Sequence, residues 1–429
     1  MSNRYAISEQ LLERAKSTIP LGSQTFSKSI TQFPYGVSPY FAKKGKGAIL
    51  WDVDGNQYVD FINGLLSVCI GYADNEINAA VTEQLANGVS FSLSHKLEAD
   101  VAEKLIELVP CAEMVRFGKN GTDSTSAAIR LARAYTGKDL VLVCGYHGWQ
   151  DWYIGSTSRN LGVPKSTQAL TKTFKYNDIE SFDTLVNEYR GEIAAVIMEP
   201  MNVEYPKAGF LEHIREVTQS ENIVMIFDET ITGCRFAQGG AQELFGVTPD
   251  LATFGKGIGN GFPLSAVMGK KEIMRLMEDI FYSGTFAGET ASLAAANVVL
   301  DKVKNEGVCQ HLELLGSDLK ERLTALIKSH GLEQYVCCQG HPSWSFTIFK
   351  GTESITPFEM KTYFMQEMFK SGILTLGSHN LSFSHTSEHI NRLIENYDRF
   401  FDKLVVCVQK GSVAEELECD VLVPLFQVR

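Results

Sequence analysis

Apolar and polar positions along this chain change their period more than once. Ile7 to Lys16 carries Leu11, Leu12 and Ala15 at helical spacing and predicts a helix. Around Asp54-Gly55-Asn56 the period drops to two, with apolar residues alternating from Ala48 to Phe61 on both sides of the turn. That pattern predicts a β-hairpin whose turn needs positive φ. From about residue 75, short wholly apolar runs alternate with helical stretches. Val115–Phe117, Leu140–Val143, Ala194–Met198, Ile223–Phe227 and Leu251–Phe254 read as strands buried on both faces. Ser126–Tyr135 and Phe210–Gln219 read as helices between them. Such alternation predicts an α/β architecture with a mostly parallel sheet between helices.

After about residue 290 the pattern changes again. Two long helices are predicted, Thr290–Lys304 and His311–Ser329, then short strands at Ser345–Phe349 and Ile373–Leu376. A closing helix spans about Glu388–Val405. The expected organisation is a large domain over 71–305 and a smaller α+β domain over 306–429, joined by the segment and hairpin of 1–70. The Gly- and Ser-rich stretch Gly22–Lys28 is either a loop that covers a site or an ordinary connector.

Composition narrows the class. The 429 residues are 44% apolar, enough for a full core. A net charge of -12 argues against nucleic acid as the main partner. No run approaches the ~18 apolar residues of a membrane span, and the N-terminus has no signal-peptide core. The nine cysteines form no Cys-x-x-Cys pair and read as reduced, mostly buried thiols. Together these predict a cytoplasmic protein with no membrane partner.

In parallel sheets ligands sit at the carboxyl ends of strands. Phe117 is followed by Gly118-Lys-Asn-Gly-Thr-Asp123 at a helix start, which is either an anion site or simply a cap. Val143 is followed by Cys144-Gly-Tyr-His-Gly-Trp149, a turn that presents rings for stacking or for packing. Met198 is followed by Glu199-Pro200 and Phe227 by Asp228-Glu229. A buried aspartate needs a cationic partner or a metal. Phe254 is followed by Gly255-Lys-Gly257; a desolvated lysine there becomes a competent amine nucleophile, and the alternatives are a phosphate-binding glycine turn or a flexible loop. An anion cradle, a stacking ring, a carboxylate and an amine at strand ends suit an aromatic cofactor with a phosphate, a ring nitrogen and an aldehyde. Pyridoxal 5'-phosphate (PLP) is such a cofactor.

At these residues the sequence resembles the class III aminotransferases of the fold-type I PLP enzymes, and among them the glutamate-1-semialdehyde 2,1-aminomutases. The resemblance runs from about Ile7 to Phe400. It implies a large domain with a mostly parallel seven-stranded sheet and a smaller α+β domain. It implies that Lys256 forms the Schiff base and that Asp228 holds the pyridine nitrogen, these two being the catalytic pair. It assigns the phosphate to Asn120, Gly121 and Thr122, ring stacking to the segment of Tyr146 and His147, a carboxylate near the ring to Glu199, and the face under the ring to Thr230. Ser283-Gly284-Thr285 resembles a segment that meets the phosphate of a neighbouring subunit, which implies a homodimer with shared active sites.

The sequence departs from the family pattern in four places. Asn120-Gly-Thr-Asp123 stands for Ser-Gly-Thr-Glu, and Thr230 stands for a valine under the ring. Lys28 stands for an arginine that holds a substrate carboxylate, and Leu376–Ser384 offers no arginine. A lysine does not make the same bidentate contact. The expected reaction is therefore transfer from an amino-acid donor to the aldehyde or ketone of a small polar, sugar-like or keto metabolite, with an intramolecular aminomutase as the alternative. No metal is expected. His379, His385 and His389 could be weighed as a zinc set, but they are read as solvated histidines near a helix start capped by Thr386; the loop 22–28, Trp149, Trp152, Trp344 and His379 are candidates for the site entrance.

Overall fold

A computed structural model describes residues 3–423. The chain divides into two compact units. One takes in the residues up to Leu66, Ile70–Asp74 and the stretch from His311 onward; the other takes in Ser67–Cys69 and Asn75–Gln310.

The second unit is built on a seven-stranded sheet. Its strands, in chain order, are β1 (Met114–Gly118), β2 (Leu140–Cys144), β3 (Thr171–Thr173), β4 (Ile193–Met198), β5 (Val224–Asp228), β6 (Leu251–Phe254) and β7 (Ser265–Gly269). Their spatial order is β1-β7-β6-β5-β4-β2-β3. Only β7 runs antiparallel, to both β1 and β6. Alternation along the strands explains why each one is apolar throughout. Val141, Val143, Ala195, Ile197, Val224 and Ile226 pack on one face with Ala128, Ile129 and Ala132 of the helix Gly121–Thr136. Leu142, Cys144, Val196, Met198, Met225 and Phe227 pack on the other with Phe182, Phe210 and Ile214 of two further helices. Burying a leucine- or phenylalanine-sized side chain stabilises by about 1.5–3 kcal/mol, so the two faces together anchor the sheet.

The first unit carries the predicted hairpin. Ile49–Asp52 and Gln57–Asp60 pair antiparallel, and Gly55 takes φ 90° in the turn. Asp52 closes the turn by accepting the Asn56 N–H at 2.7 Å. Ala42–Lys46 and Ile373–Leu374 complete a four-stranded sheet. Val336–His341, Trp344–Phe349 and Ser378–Asn380 form a second sheet of three strands. A short 3-10 turn at Pro20–Gly22 leads into the stretch 22–28, which ends in another at Phe26–Lys28. Among the described residues no helix is long and apolar enough to cross a membrane.

The histidines near the C-terminus correct the sequence reading. Thr386 does cap the helix Ser387–Lys410. His379 and His385, however, are fully buried, not solvated. His379 bonds Ser345 Oγ at 2.9 Å and Tyr397 Oη at 2.8 Å, which occupies both ring nitrogens. Burial pushes the His379 and His385 rings down to about 3. Trp344 and Trp152 are buried as well, so these two and His379 are core residues and not an exposed rim.

Candidate active site

The sheet places Asn120, Tyr146, Glu199, Asp228 and Lys256 at the carboxyl ends of its parallel strands. Asp228 ends β5 and is paired with Thr253 of β6. Lys256 lies two residues past the end of β6, half-buried between Gly255 and Gly257. Its backbone sits at φ 46°, a conformation that costs a lysine energy.

Asp228 is buried and accepts four hydrogen bonds. Oδ2 takes one, from His147 Nδ1 at 2.9 Å. Oδ1 takes three, from Thr230 N at 3.1 Å, Thr230 Oγ1 at 2.6 Å and Thr253 Oγ1 at 3.2 Å. Burial by itself would raise the carboxyl. The hydrogen bond and charge of His147, with the two donors of Thr230, outweigh it and hold Asp228 below the ordinary aspartate value.

His147 lies deeper than a stacking residue on an open face would. It is buried, bonded to Asp228, and stacked on Trp152 at 6.4 Å between centroids with a 13° interplanar angle. Tyr146, beside it, is 42% exposed and meets Tyr153 edge-on. Burial, then the charges of Asp228 and Glu199, raise the Tyr146 hydroxyl. Glu199 is buried at the end of β4 and receives Tyr146 N and Asn202 Nδ2, each at 3.0 Å. A Cβ at Gly145 would collide with the Glu199 carboxylate, which is why a glycine opens this turn.

The helix Gly121–Thr136 begins beside Thr230. A Cβ at Gly121 would lie 3.0 Å from Thr230 Cγ2. Asp123 caps the turn by accepting Asn120 N at 2.8 Å and Lys119 N at 3.0 Å. Thr122 is buried, and its Oγ1 has no hydrogen-bond partner among the described residues. Gly284 and Thr285 are exposed, and no described hydrogen bond joins them to this group. Thr230 does not present a bare methyl face, since its hydroxyl is spent on Asp228.

Four contributors escape sequence reading. Thr253 lies inside an apolar strand. Ser265 bonds Asn120 O and Ser124 Oγ, each at 2.8 Å, and so ties the helix start to β7. Thr125 Oγ1 holds the ring-bearing turn through His147 O at 2.9 Å. Asn202 belongs to no motif; its place three residues past Glu199 is the one signal available.

Residues 32–401 match the family model described as aminotransferase class-III. The chain is 33% identical over 402 residues to the 3-aminobutyryl-CoA aminotransferase of Cloacimonas acidaminovorans (strain Evry), covering 91% of this chain and 96% of that one. It is 35% identical over 416 residues to glutamate-1-semialdehyde 2,1-aminomutase 2 of Brevibacillus brevis, covering 90% and 96%. A solved structure of the FumI protein of Sphingopyxis sp. MTA144, in its PLP internal aldimine form, superposes with a TM-score of 0.87 at 28% identity, covering 94% of this chain and 97% of that one. The chain belongs to the class III aminotransferases. It is a PLP-dependent transaminase of the fold-type I architecture, as the sequence resemblance implied. Enzymes of this family generally take an amino donor and a carbonyl acceptor and are typically dimeric.

Proposed function

We propose that this enzyme moves an amino group from an amino-acid donor to the aldehyde or ketone of a small polar metabolite, with Lys256 as the working amine. The carrying observation is the state of Asp228. It is a buried anion with three donors on Oδ1 and one on Oδ2, and Lys256 follows the adjacent strand. An anion so held suits a protonated ring nitrogen.

The residues present fit PLP. Thr122 Oγ1 is buried without a partner among the described residues, at the first turn of a sixteen-residue helix. The first N–H groups of a helix have no intrahelical acceptor, so this turn suits phosphate oxygens. A Cβ at Gly148 would collide with Thr122 Oγ1, and the glycine keeps that place open.

When bound, PLP supplies an aldehyde that captures amines and a protonated ring that draws electrons from a substrate carbon. Lys256 would hold that aldehyde through its amine, and the same amine is placed to take and return a proton at the substrate carbon. Asp228 keeps the ring-nitrogen proton in place, oriented by His147, Thr230 and Thr253. Asn120, Gly121 and Thr122 hold the phosphate, Tyr146 flanks the ring, and Glu199 fixes the Tyr146 backbone. Gly284 and Thr285 serve the phosphate of a neighbouring subunit in a cytoplasmic homodimer.

The aminomutase reading is favoured by one observation, the name of the Brevibacillus brevis relative. A donor and acceptor screen, followed by the spectral change of the cofactor, separates the two. The panel includes β-amino compounds because of the name of the Cloacimonas relative. A transaminase needs a separate donor, whereas a mutase converts glutamate 1-semialdehyde alone. Absence of conversion with every amine would overturn the transaminase proposal.

A further inference from the structure

Thr230 touches three parts of the site at once. Its hydroxyl donates to Asp228 Oδ1 at 2.6 Å, the shortest of the four bonds to that carboxylate, and its N–H donates to the same oxygen. Its methyl carbon would lie 3.0 Å from a Cβ at Gly121 and 3.2 Å from one at Gly255, so it abuts the helix start and the residue before Lys256. A carboxylate offers about four acceptor positions. Three donors crowd Oδ1 and one meets Oδ2, so the remaining capacity lies on Oδ2.

We infer that the Thr230 hydroxyl is a positioning group that sets both the orientation and the proton affinity of Asp228, and through it the electron-drawing strength of the cofactor ring. A hydrogen bond to an anion is among the stronger single interactions a hydroxyl makes. Spending it on Oδ1 turns the free acceptor capacity to Oδ2. It also makes Asp228 a weaker base, so a proton shared with the ring nitrogen rests on the nitrogen. Without the hydroxyl that proton shifts toward the carboxylate, and the ring draws electrons less strongly. The titratable groups that face Asp228 are His147, which it bonds, and Tyr146, whose hydroxyl its charge raises. Lys256 stands past the end of the adjacent strand. The inference rests on the assignment of Asp228 to the ring nitrogen.

The test compares holoenzymes that differ only by the hydroxyl. Thr230→Val keeps the shape and removes the donor; Thr230→Ser keeps the donor and removes the methyl. In Thr230→Val the pH midpoint of the bound cofactor's visible absorbance should move by roughly half a unit or more, and kcat should fall about three- to tenfold with KM little changed. Thr230→Ser should retain the wild-type midpoint. If valine prevents cofactor loading, the pair Thr230→Ala and Thr230→Ser makes the same comparison. A wild-type midpoint in Thr230→Val, or an equal shift in Thr230→Ser, overturns the inference. Asp228→Asn is the control. If it moves the midpoint while Thr230→Val does not, only this inference falls. If Asp228→Asn leaves the midpoint in place, the assignment of Asp228 falls and takes the inference with it.

Discussion

His147 meets Asp228 across an intervening strand. The histidine follows β2, the aspartate ends β5, β4 lies between them, and Nδ1 and Oδ2 are still 2.9 Å apart. The pair fixes the anion on which the proposed chemistry depends. Asp228→Asn should lower kcat at least tenfold, about 1.4 kcal/mol or more in the barrier. Steady-state kinetics with the best donor–acceptor pair checks this, and a smaller loss would count against the role of Asp228.

Lys256→Ala should abolish turnover while leaving PLP weakly bound. Borohydride treatment of the wild type should fix a pyridoxyl group on Lys256, read by mass spectrometry of the peptide. Normal turnover in the alanine variant would refute the assignment.

Gly148→Ala places a methyl against Thr122 Oγ1 on a backbone with φ 106°. The affinity of the apoprotein for PLP should fall about tenfold or more, since the clash and the backbone strain both act at the phosphate end. Fluorescence titration with PLP measures it. Unchanged affinity would remove Thr122 from the phosphate site.

Glu229 adjoins Asp228 in sequence but serves the fold. It is fully buried, and burial raises its carboxyl above the ordinary value. Its oxygens receive Thr232 Oγ1 at 2.7 Å, Gln242 Nε2 at 3.0 Å, Gln242 N at 3.1 Å and the Ala241 N–H. Every neighbour is a donor, so Glu229→Gln turns an amide N–H₂ toward other donors. The isosteric change should cost about 2–3 kcal/mol, visible as a lower denaturation midpoint. A neutral effect would show that the network rearranges freely.

The buried histidines predict a pH-dependent fold. His379 and His385 are held neutral down to about 3, whereas an unfolded histidine protonates near pH 6.5. Between these values the unfolded chain binds more protons, so stability falls as pH falls. From pH 6.5 to pH 5 each ring should remove about 2 kcal/mol. Urea midpoints at pH 7 and pH 5 test this, and His379→Asn should reduce the difference by about half. A flat profile would contradict the burial of the rings.

Legibility in the sequence followed burial. Strands packed on both faces, such as Leu140–Cys144 and Leu251–Phe254, announce themselves as unbroken apolar runs. β3, Thr-Lys-Thr, has no such run, and β7 has only Ala-Val-Met between a serine and a glycine, so the apolar pattern marks neither. The helix read over Ser126–Tyr135 starts at Gly121, inside the Gly-Thr-Asp segment that the sequence places at a helix start without fixing its first residue. At the site, Lys256 and Asp228 stood out because charged groups at the ends of apolar strands demand a reason. The part played by His147 was hidden, because a contact across another strand leaves no trace in spacing. His379 and His385 were misjudged because a Ser- and His-rich stretch looks wet until hydroxyl partners such as Ser345 and Tyr397 are folded around it.

The left-handed backbone at Lys256 sets durability against chemistry at a single position. A glycine there would relax the twist without steric cost and, where that gain exceeds its larger folding entropy and the lost packing, give a more heat-resistant protein. On the role proposed for Lys256 it would also be inert. If Lys256 is the working amine proposed here, the twist at that position serves the chemistry at the expense of the fold.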